Sequence, residues 1–150
     1  MQKLIDFALN DPTFWVNVVF VVSAILLMKF VPRILAGVPF VDPKVLKEAL
    51  EAGRDVVVLD VRTPGEFTGP MGHMPGAVNL PLNEMANQLK EITAKLEPYK
   101  AEPVYVTCRT ENRSPRAARM LKSLGFTKVS IVKGGMKRWA KEGLTVEQAS

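Results

Sequence analysis

Apolar residues in the C-terminal two thirds of the chain form short runs that are separated by stretches of helical spacing. The runs at 56–60, 77–80, 104–107 and 129–132 are predicted as strands. Between them, apolar side chains recur every three or four residues, which predicts helices. Because strands and helices alternate along the chain, the pattern predicts an α/β domain with a mainly parallel sheet and helices on both faces.

The N-terminal part has a different pattern. Residues 12–28 carry no charge, and as a helix they would extend about 26 Å. Extension to residue 32 brings the segment to the thickness of a hydrocarbon core. Trp15 lies near one end, where an interfacial anchor would lie. The sequence therefore predicts one N-terminal transmembrane helix over 12–32, which would make the membrane a partner of the chain.

Charged residues next to this segment predict its orientation. Four basic residues follow within residues 29–47, whereas Lys3 alone precedes it, so positive-inside logic places the C-terminal domain in the cytoplasm. No Ala-x-Ala site follows the apolar run, which argues against a cleaved signal peptide. We predict a single-pass protein of a bacterial inner (cytoplasmic) membrane.

These patterns divide the chain into five parts. The predicted division is an N-terminal flank over 1–11, the transmembrane helix over 12–32, a linker over 33–39, a folded domain over 40–147 and a tail over 148–150.

The composition excludes several kinds of site and partner. One cysteine excludes an intrachain disulfide, and one cysteine with one distant histidine, His73, does not supply a metal site. The net charge of +5 is spread among acids without a basic run, so we expect no nucleic-acid partner. We predict no metal and no cofactor. The oligomeric state stays open.

The cysteine, Cys108, stands where a predicted strand ends and a loop leads into a helix. Ser114 is a predicted N-cap and Pro115 suits the first helical position. In an open α/β sheet, ligands bind at this edge, outside the carboxyl ends of the strands.

Charges around Cys108 favour an anion. Four arginines lie between residues 109 and 119, against one acid, Glu111. Together with the free N–H groups at the start of a helix, they would stabilise a thiolate, which is the nucleophilic form of cysteine. The same surroundings would attract an oxyanion substrate.

Residues 108–114, Cys-Arg-Thr-Glu-Asn-Arg-Ser, resemble the active-site loop of rhodanese-like sulfurtransferases, written Cys-x-x-Gly-x-Arg. Three further segments, 59–67, 72–77 and 134–139, are similar to other signatures of that family in the same order. The resemblance covers residues 40–147.

The resemblance implies the rhodanese-like three-layer fold and a sulfurtransferase activity. In that family the cysteine takes a sulfane sulfur from thiosulfate or a persulfide, and loop N–H groups hold the resulting persulfide. The sulfur then passes to an acceptor thiol, to a protein or to cyanide. Cys108 is thus the predicted nucleophile. The other residues carried over are Arg109, Thr110, Glu111, Asn112, Arg113 and Ser114 for substrate binding, with Asp60 and Arg62 as supporting residues.

Two features depart from the family pattern. Glu111 stands where the family usually has glycine, so we expect strain if the position needs a positive φ, and repulsion of an anionic donor. The segment 67–72 is a residue or two longer than usual and is expected to reshape the rim of the site. His73 is predicted to be structural, because a thiolate that is already ionised needs no base.

Two alternatives stay open. Cysteine phosphatase loops place five residues between cysteine and arginine, whereas four separate Cys108 from Arg113, which favours sulfur over a phosphoryl group. The second is a non-catalytic rhodanese-like module that binds a partner or senses redox state at the membrane. Glu111 favours that module, whereas the intact Cys108, Arg113 and Ser114 favour catalysis.

Overall fold

The structure is a computed structural model and describes residues 11–148. One compact unit ends at Leu35 and a second begins at Ala36. The elements in chain order are α1 (Pro12–Ala36), β1 (Phe40–Val41), α2 (Pro43–Glu51), β2 (Val57–Asp60), α3 (Pro64–Phe67), β3 (Val78–Asn79), α4 (Leu82–Asn87), α5 (Leu89–Leu96), a 3-10 turn (Glu97–Tyr99), β4 (Val104–Thr107), α6 (Ser114–Ser123), β5 (Val129–Val132) and α7 (Gly135–Lys141).

The five strands form one sheet in the order β1-β5-β4-β2-β3, and each neighbouring pair is parallel. The predicted parallel α/β sheet is therefore confirmed. Asp60 at the end of β2 pairs in register with Thr107 of β4 and with Asn79 of β3. The carboxyl ends of these strands thus lie at one level, where the loops that follow them meet.

Helices cover both faces of the sheet. Neighbouring residues of a strand point to opposite faces, so Leu59 and Val58 pack against different helices. Leu59 belongs to an apolar cluster that also contains Ile92 of α5 and Leu121 of α6. Its neighbour Val58 belongs to a second cluster with Trp139 of α7. Each face of the sheet is thus buried, as the continuously apolar strands predicted.

The first unit contains helix α1, a helix of 25 residues. Large apolar side chains along it, such as Phe20 and Leu27, are exposed. No helix in the described part of the chain is both long enough and apolar enough to span a membrane.

The prediction of a transmembrane helix over 12–32 is therefore wrong, and with it the membrane as a partner and the inner-membrane location with a cytoplasmic domain. The reason is length. Lys29 and Arg33 lie within the helix, so its uncharged part, Pro12–Met28, extends about 26 Å, short of the roughly 30 Å of a hydrocarbon core.

A buried ion pair holds the carboxyl end of β2. The guanidinium of Arg62 donates to both carboxylate oxygens of Asp60 at 2.7–3.0 Å, and both side chains are buried. Arg62 also donates to the backbone carbonyls of Glu66 at 2.9 Å and Gly72 at 2.7 Å. One side chain thereby ties the end of β2 to helix α3 and to the start of the segment that leads to β3.

The Arg62→Met variant should have a free energy of unfolding about 3–5 kcal/mol lower than the wild-type chain, because Asp60 is left as a buried charge without its partner. Urea denaturation followed by circular dichroism measures the change. The matched control is Lys47→Met, which breaks the exposed pair between Lys47 and Glu51 at 2.8 Å and should cost about 0.5 kcal/mol or less. Equal losses in the two variants would contradict the assigned role of Arg62.

Candidate active site

Cys108 is the first residue after β4. It directly follows Thr107, which pairs in register with Asp60, and Asp60 pairs with Asn79, so Cys108 lies at the carboxyl ends of the strands. It is 1 % exposed and belongs to the apolar cluster on the face covered by α4, α5 and α6. Cys108 therefore lies below the protein surface, at the start of the loop formed by residues 108–113.

Two hydrogen bonds hold the first two peptides of this loop. The Met136 N–H donates to the Cys108 carbonyl and the Lys137 N–H donates to the Arg109 carbonyl, each at 2.9 Å. The peptide bonds among the described residues are trans. In a trans peptide the N–H points opposite to the preceding C=O. Because both carbonyls face α7, the N–H groups of Arg109 and Thr110 point away from it.

The turn before α7 permits this close approach because it consists of two glycines. Gly134 has a φ of 72° and Gly135 a φ of 55°, in the left-handed region that favours glycine. A Cβ atom on Gly135 would collide with the carbonyl oxygens of Cys108 and Thr110. The loop thus rests directly on the backbone of this turn.

The loop presents backbone donors that have no acceptor in the described part of the chain. The N–H groups of Arg109, Thr110, Asn112 and Arg113 donate to no acceptor among residues 11–148. Successive free N–H groups in a loop form a concave site that binds anions. Here they belong to the loop that begins at the buried Cys108.

Glu111 braces the loop instead of straining it. Its carboxylate accepts a hydrogen bond from the Gly134 N–H at 2.6 Å. Within the described residues, no residue other than glycine has a positive φ, so the expected strain at Glu111 is absent. The carboxylate that replaces the family's usual glycine therefore gives the loop a further contact with the glycine turn.

Arg113 is bound by an acid that the sequence prediction omitted from the site. Its guanidinium donates to the two carboxylate oxygens of Glu66 at 2.6 and 2.8 Å. This hydrogen bonding lowers the pKa of Glu66 to about 2 against a desolvation effect that raises it. The pKa of Arg113 is raised, first by Glu66 and more weakly by the charges of Cys108 and Asp60.

The direction of the pKa shift at Glu66 determines the pH range in which its ion pair with Arg113 stabilises the fold. A lowered carboxyl pKa means that the pair stabilises the fold above the unfolded pKa of about 4.5 and that this stability is lost as the pH falls through about 2. At neutral pH the pair is ionised and links the loop to α3. Glu66 lies in a signature segment that the resemblance included, which is the signal that could have identified it.

Ser114 is fully buried at the start of α6, and its hydroxyl has no hydrogen-bond partner among the described residues. The prediction that Ser114 caps this helix is wrong, because the helix begins at Ser114 itself and Arg113 holds the cap position without a side-chain bond. A buried hydroxyl without a partner costs about 1–3 kcal/mol, so it points to a ligand or a structural cost.

The remaining predicted residues lie at the rim or beside the loop. Arg109 and Asn112 are exposed and Thr110 is half-buried. Beside Arg109 is a hollow of about 340 Å³. Its lining includes Gly69, Pro70 and Met71 of the longer segment 67–72.

His73 contacts residues outside the loop. Its ring stacks on Phe67 with centroids 3.8 Å apart, and its backbone exchanges two hydrogen bonds of 2.9 Å with Glu147. These contacts fit the structural role predicted for it.

Comparison with known proteins places this geometry in a family. Residues 42–142 match the family described as the rhodanese-like domain. A sulfurtransferase of Allochromatium vinosum is 31% identical over 106 residues, which cover 71% of this chain and 92% of that protein. Thiosulfate sulfurtransferase 16, chloroplastic, of Arabidopsis thaliana is 38% identical over 92 residues, which cover 57% of this chain and 75% of that protein.

A solved structure agrees with the sequence matches. The rhodanese-related protein of Thermoplasma volcanium superposes with a TM-score of 0.61 at 28% identity, over 74% of this chain and 99% of that one. The family match spans more than half of the chain and includes β2, β4, the loop over 108–113 and α7. The chain belongs to the rhodanese-like domain family.

Proposed function

We propose that the protein is a sulfurtransferase in which Cys108 carries a sulfane sulfur from a donor such as thiosulfate to an acceptor thiol or to cyanide. One observation carries this proposal. Cys108 is buried at the start of a loop whose N–H groups at Arg109, Thr110, Asn112 and Arg113 lack acceptors among the described residues. The names of the sulfurtransferase relatives support the same class of reaction.

The first step loads the sulfur. The Cys108 thiolate attacks the outer sulfur of thiosulfate, a new S–S bond forms, and the bond to the sulfonate sulfur breaks so that sulfite leaves with the electron pair. The product is a persulfide whose terminal sulfur is an anion. We assign its stabilisation to the free loop N–H groups, which need no rearrangement to receive negative charge.

The second step unloads the sulfur. An acceptor thiolate or cyanide attacks the terminal sulfur, its bond to the Cys108 sulfur breaks, and Cys108 leaves as a thiolate. The acceptor departs as a persulfide or as thiocyanate. No electrons enter from outside in either step, so the cycle needs no further oxidant, reductant or cofactor.

The arginines have separate roles in this mechanism. Arg113 is held by Glu66 in a bidentate pair, so we assign it to keeping the loop on α3. Arg109 is exposed and has no ion-pair partner in the described chain, so we assign it to attracting the donor. Asp60 and Arg62 support the site from beneath.

The four-residue interval before Arg113 and the pairing of that arginine with Glu66 weigh against a phosphatase, since such an enzyme needs its arginine for the phosphoryl group.

The intact mass of the full chain should increase by one sulfur atom after incubation with thiosulfate and return to its first value after cyanide. The Cys108→Ser variant, which retains the fold, should show no increase because it lacks the nucleophile. Circular dichroism of the variant provides the folding control. A sulfur adduct on Cys108→Ser, or a folded wild-type chain with a free thiol that accepts no sulfur, would contradict the proposed reaction.

The Ser114→Ala variant tests whether the Ser114 hydroxyl binds the persulfide or has no role in binding it. Removing a buried hydroxyl without a partner should leave the free energy of unfolding unchanged or raise it by up to about 1 kcal/mol. If the hydroxyl donates to the persulfide, the lifetime of the loaded form should fall about tenfold, equivalent to ~1.4 kcal/mol for one hydrogen bond to a charged sulfur.

The control for this variant is Ser123→Ala at the other end of α6. The Ser123 hydroxyl is exposed and donates to the Met120 carbonyl at 2.7 Å, so its loss should not change the persulfide lifetime. Mass spectrometry over time after removal of thiosulfate measures both lifetimes. Equal lifetimes for Ser114→Ala and the wild-type chain would show that the Ser114 hydroxyl does not hold the sulfur.

A further inference from the structure

Four exposed cations lie on the loop over 108–113 and on the two helices that adjoin it, α6 and α7, and we call them the basic rim: Arg109, Arg116, Arg119 and Lys137. Arg109 belongs to the loop itself. Lys137 is adjacent to it, because the Lys137 N–H donates to the Arg109 carbonyl at 2.9 Å. Arg116 lies in the first turn of α6 and Arg119 one turn farther along the same helix.

The basic rim is not neutralised by the described part of the chain. None of its four side chains has a carboxylate partner there, whereas the less exposed arginines, Arg62 and Arg113, are paired with Asp60 and Glu66. The loop contributes one carboxylate, Glu111, which is bonded to the Gly134 N–H. Positive charge therefore remains at the surface and is largely cancelled beneath it.

The extent of the basic rim exceeds what a small inorganic anion needs. Arg119 lies five residues after the start of α6, about 7.5 Å along the helix axis. An ion that reacts at the buried Cys108 cannot contact the whole rim at once. A surface of this extent fits a macromolecular partner, whose charges are spread over a comparable area.

The burial of Cys108 limits how such a partner delivers or receives sulfur. The thiol is 1 % exposed. A flat protein surface laid over the loop cannot reach a buried thiol, but a single side chain or a chain end can. The reacting group must therefore project from its own protein, with the charged residues around it left outside on the rim.

We infer that the sulfur acceptor is a protein or peptide thiol that projects from its chain and is flanked by acidic residues. The inference rests on the proposed function, since it names the acceptor of the second step. The acceptor thiolate attacks the terminal sulfur of the Cys108 persulfide, a new S–S bond forms on the acceptor, and Cys108 leaves as a thiolate. The acidic residues bind the basic rim and do not take part in this exchange of bonds.

The direct test uses the full chain loaded with sulfur, with loading verified by mass before each assay. Three synthetic peptides with one cysteine flanked by aspartate, by serine or by lysine serve as acceptors. The transfer rate should be highest for the aspartate peptide and lowest for the lysine peptide, with a ratio of about tenfold or more at low ionic strength that falls as salt is added. Equal rates for the three peptides would overturn the inference.

Charge reversal assigns the preference to the basic rim. In the double variant Arg116→Glu with Lys137→Glu, the ratio of the aspartate rate to the lysine rate should fall to about one or invert. A ratio within one variant is independent of how well that variant loads sulfur. The control is Arg54→Glu, which should keep the wild-type ratio. Arg54 is exposed and precedes β2, so it lies at the amino end of this strand, whereas the site lies at the carboxyl ends of the strands. An unchanged ratio in the double variant would overturn the assignment.

A binding experiment keeps the inference separate from the proposed function. The same peptides with serine in place of cysteine cannot accept sulfur, so their binding to the full chain does not depend on loading. Fluorescence anisotropy should show tighter binding of the aspartate peptide, weakened by the double variant and by salt. If sulfur loading fails but this preference is found, the basic rim binds acidic peptides and the proposed sulfur transfer is wrong. If loading succeeds and no preference is found, the proposed sulfur transfer is supported and the inferred acidic acceptor is wrong.

Discussion

Two backbone hydrogen bonds between the loop over 108–113 and the start of α7 are the contact on which the site depends. They fix the carbonyls of Cys108 and Arg109 against α7, and peptide planarity then turns the next N–H groups the other way. The absence of a Cβ atom at Gly135 allows this contact, and the carboxylate of Glu111 adds to it through Gly134. The donors are therefore in place before any sulfur arrives.

Charge is arranged in two layers around this contact. The less exposed arginines, Arg62 and Arg113, are bound by Asp60 and Glu66, so their positive charge holds β2, α3 and the loop together. The exposed basic rim keeps its charge for solvent or a partner. An ion pair that is buried supports the fold only when both partners are present, whereas an exposed cation contributes little to stability and is available for recognition.

Local patterns were sufficient to predict the sheet and the place of Cys108, because both follow from apolar runs and from a strand followed by a helix. The pair of Arg113 with Glu66 could not be derived from such patterns, since its partners lie 47 positions apart in the sequence. Whether Ser114 caps α6 or is its first residue depends on where the helix begins. Cap preferences predict that position only to within a residue or two. The transmembrane prediction failed because an apolar run was extended across Lys29, inside α1.

Sulfur loading by thiosulfate in two glycine variants of the full chain tests the contact between the loop and α7 most directly. Gly135 and Gly143 both have a positive φ, of 55° and 68°, but a Cβ atom would meet the carbonyls of the loop only at Gly135 and nothing within 4 Å at Gly143. Both substitutions therefore strain the backbone, and one of them also displaces the loop. Folded Gly143→Ala should load sulfur like the wild-type chain, and folded Gly135→Ala should not. Equal loading of the two variants would contradict the role assigned to this contact.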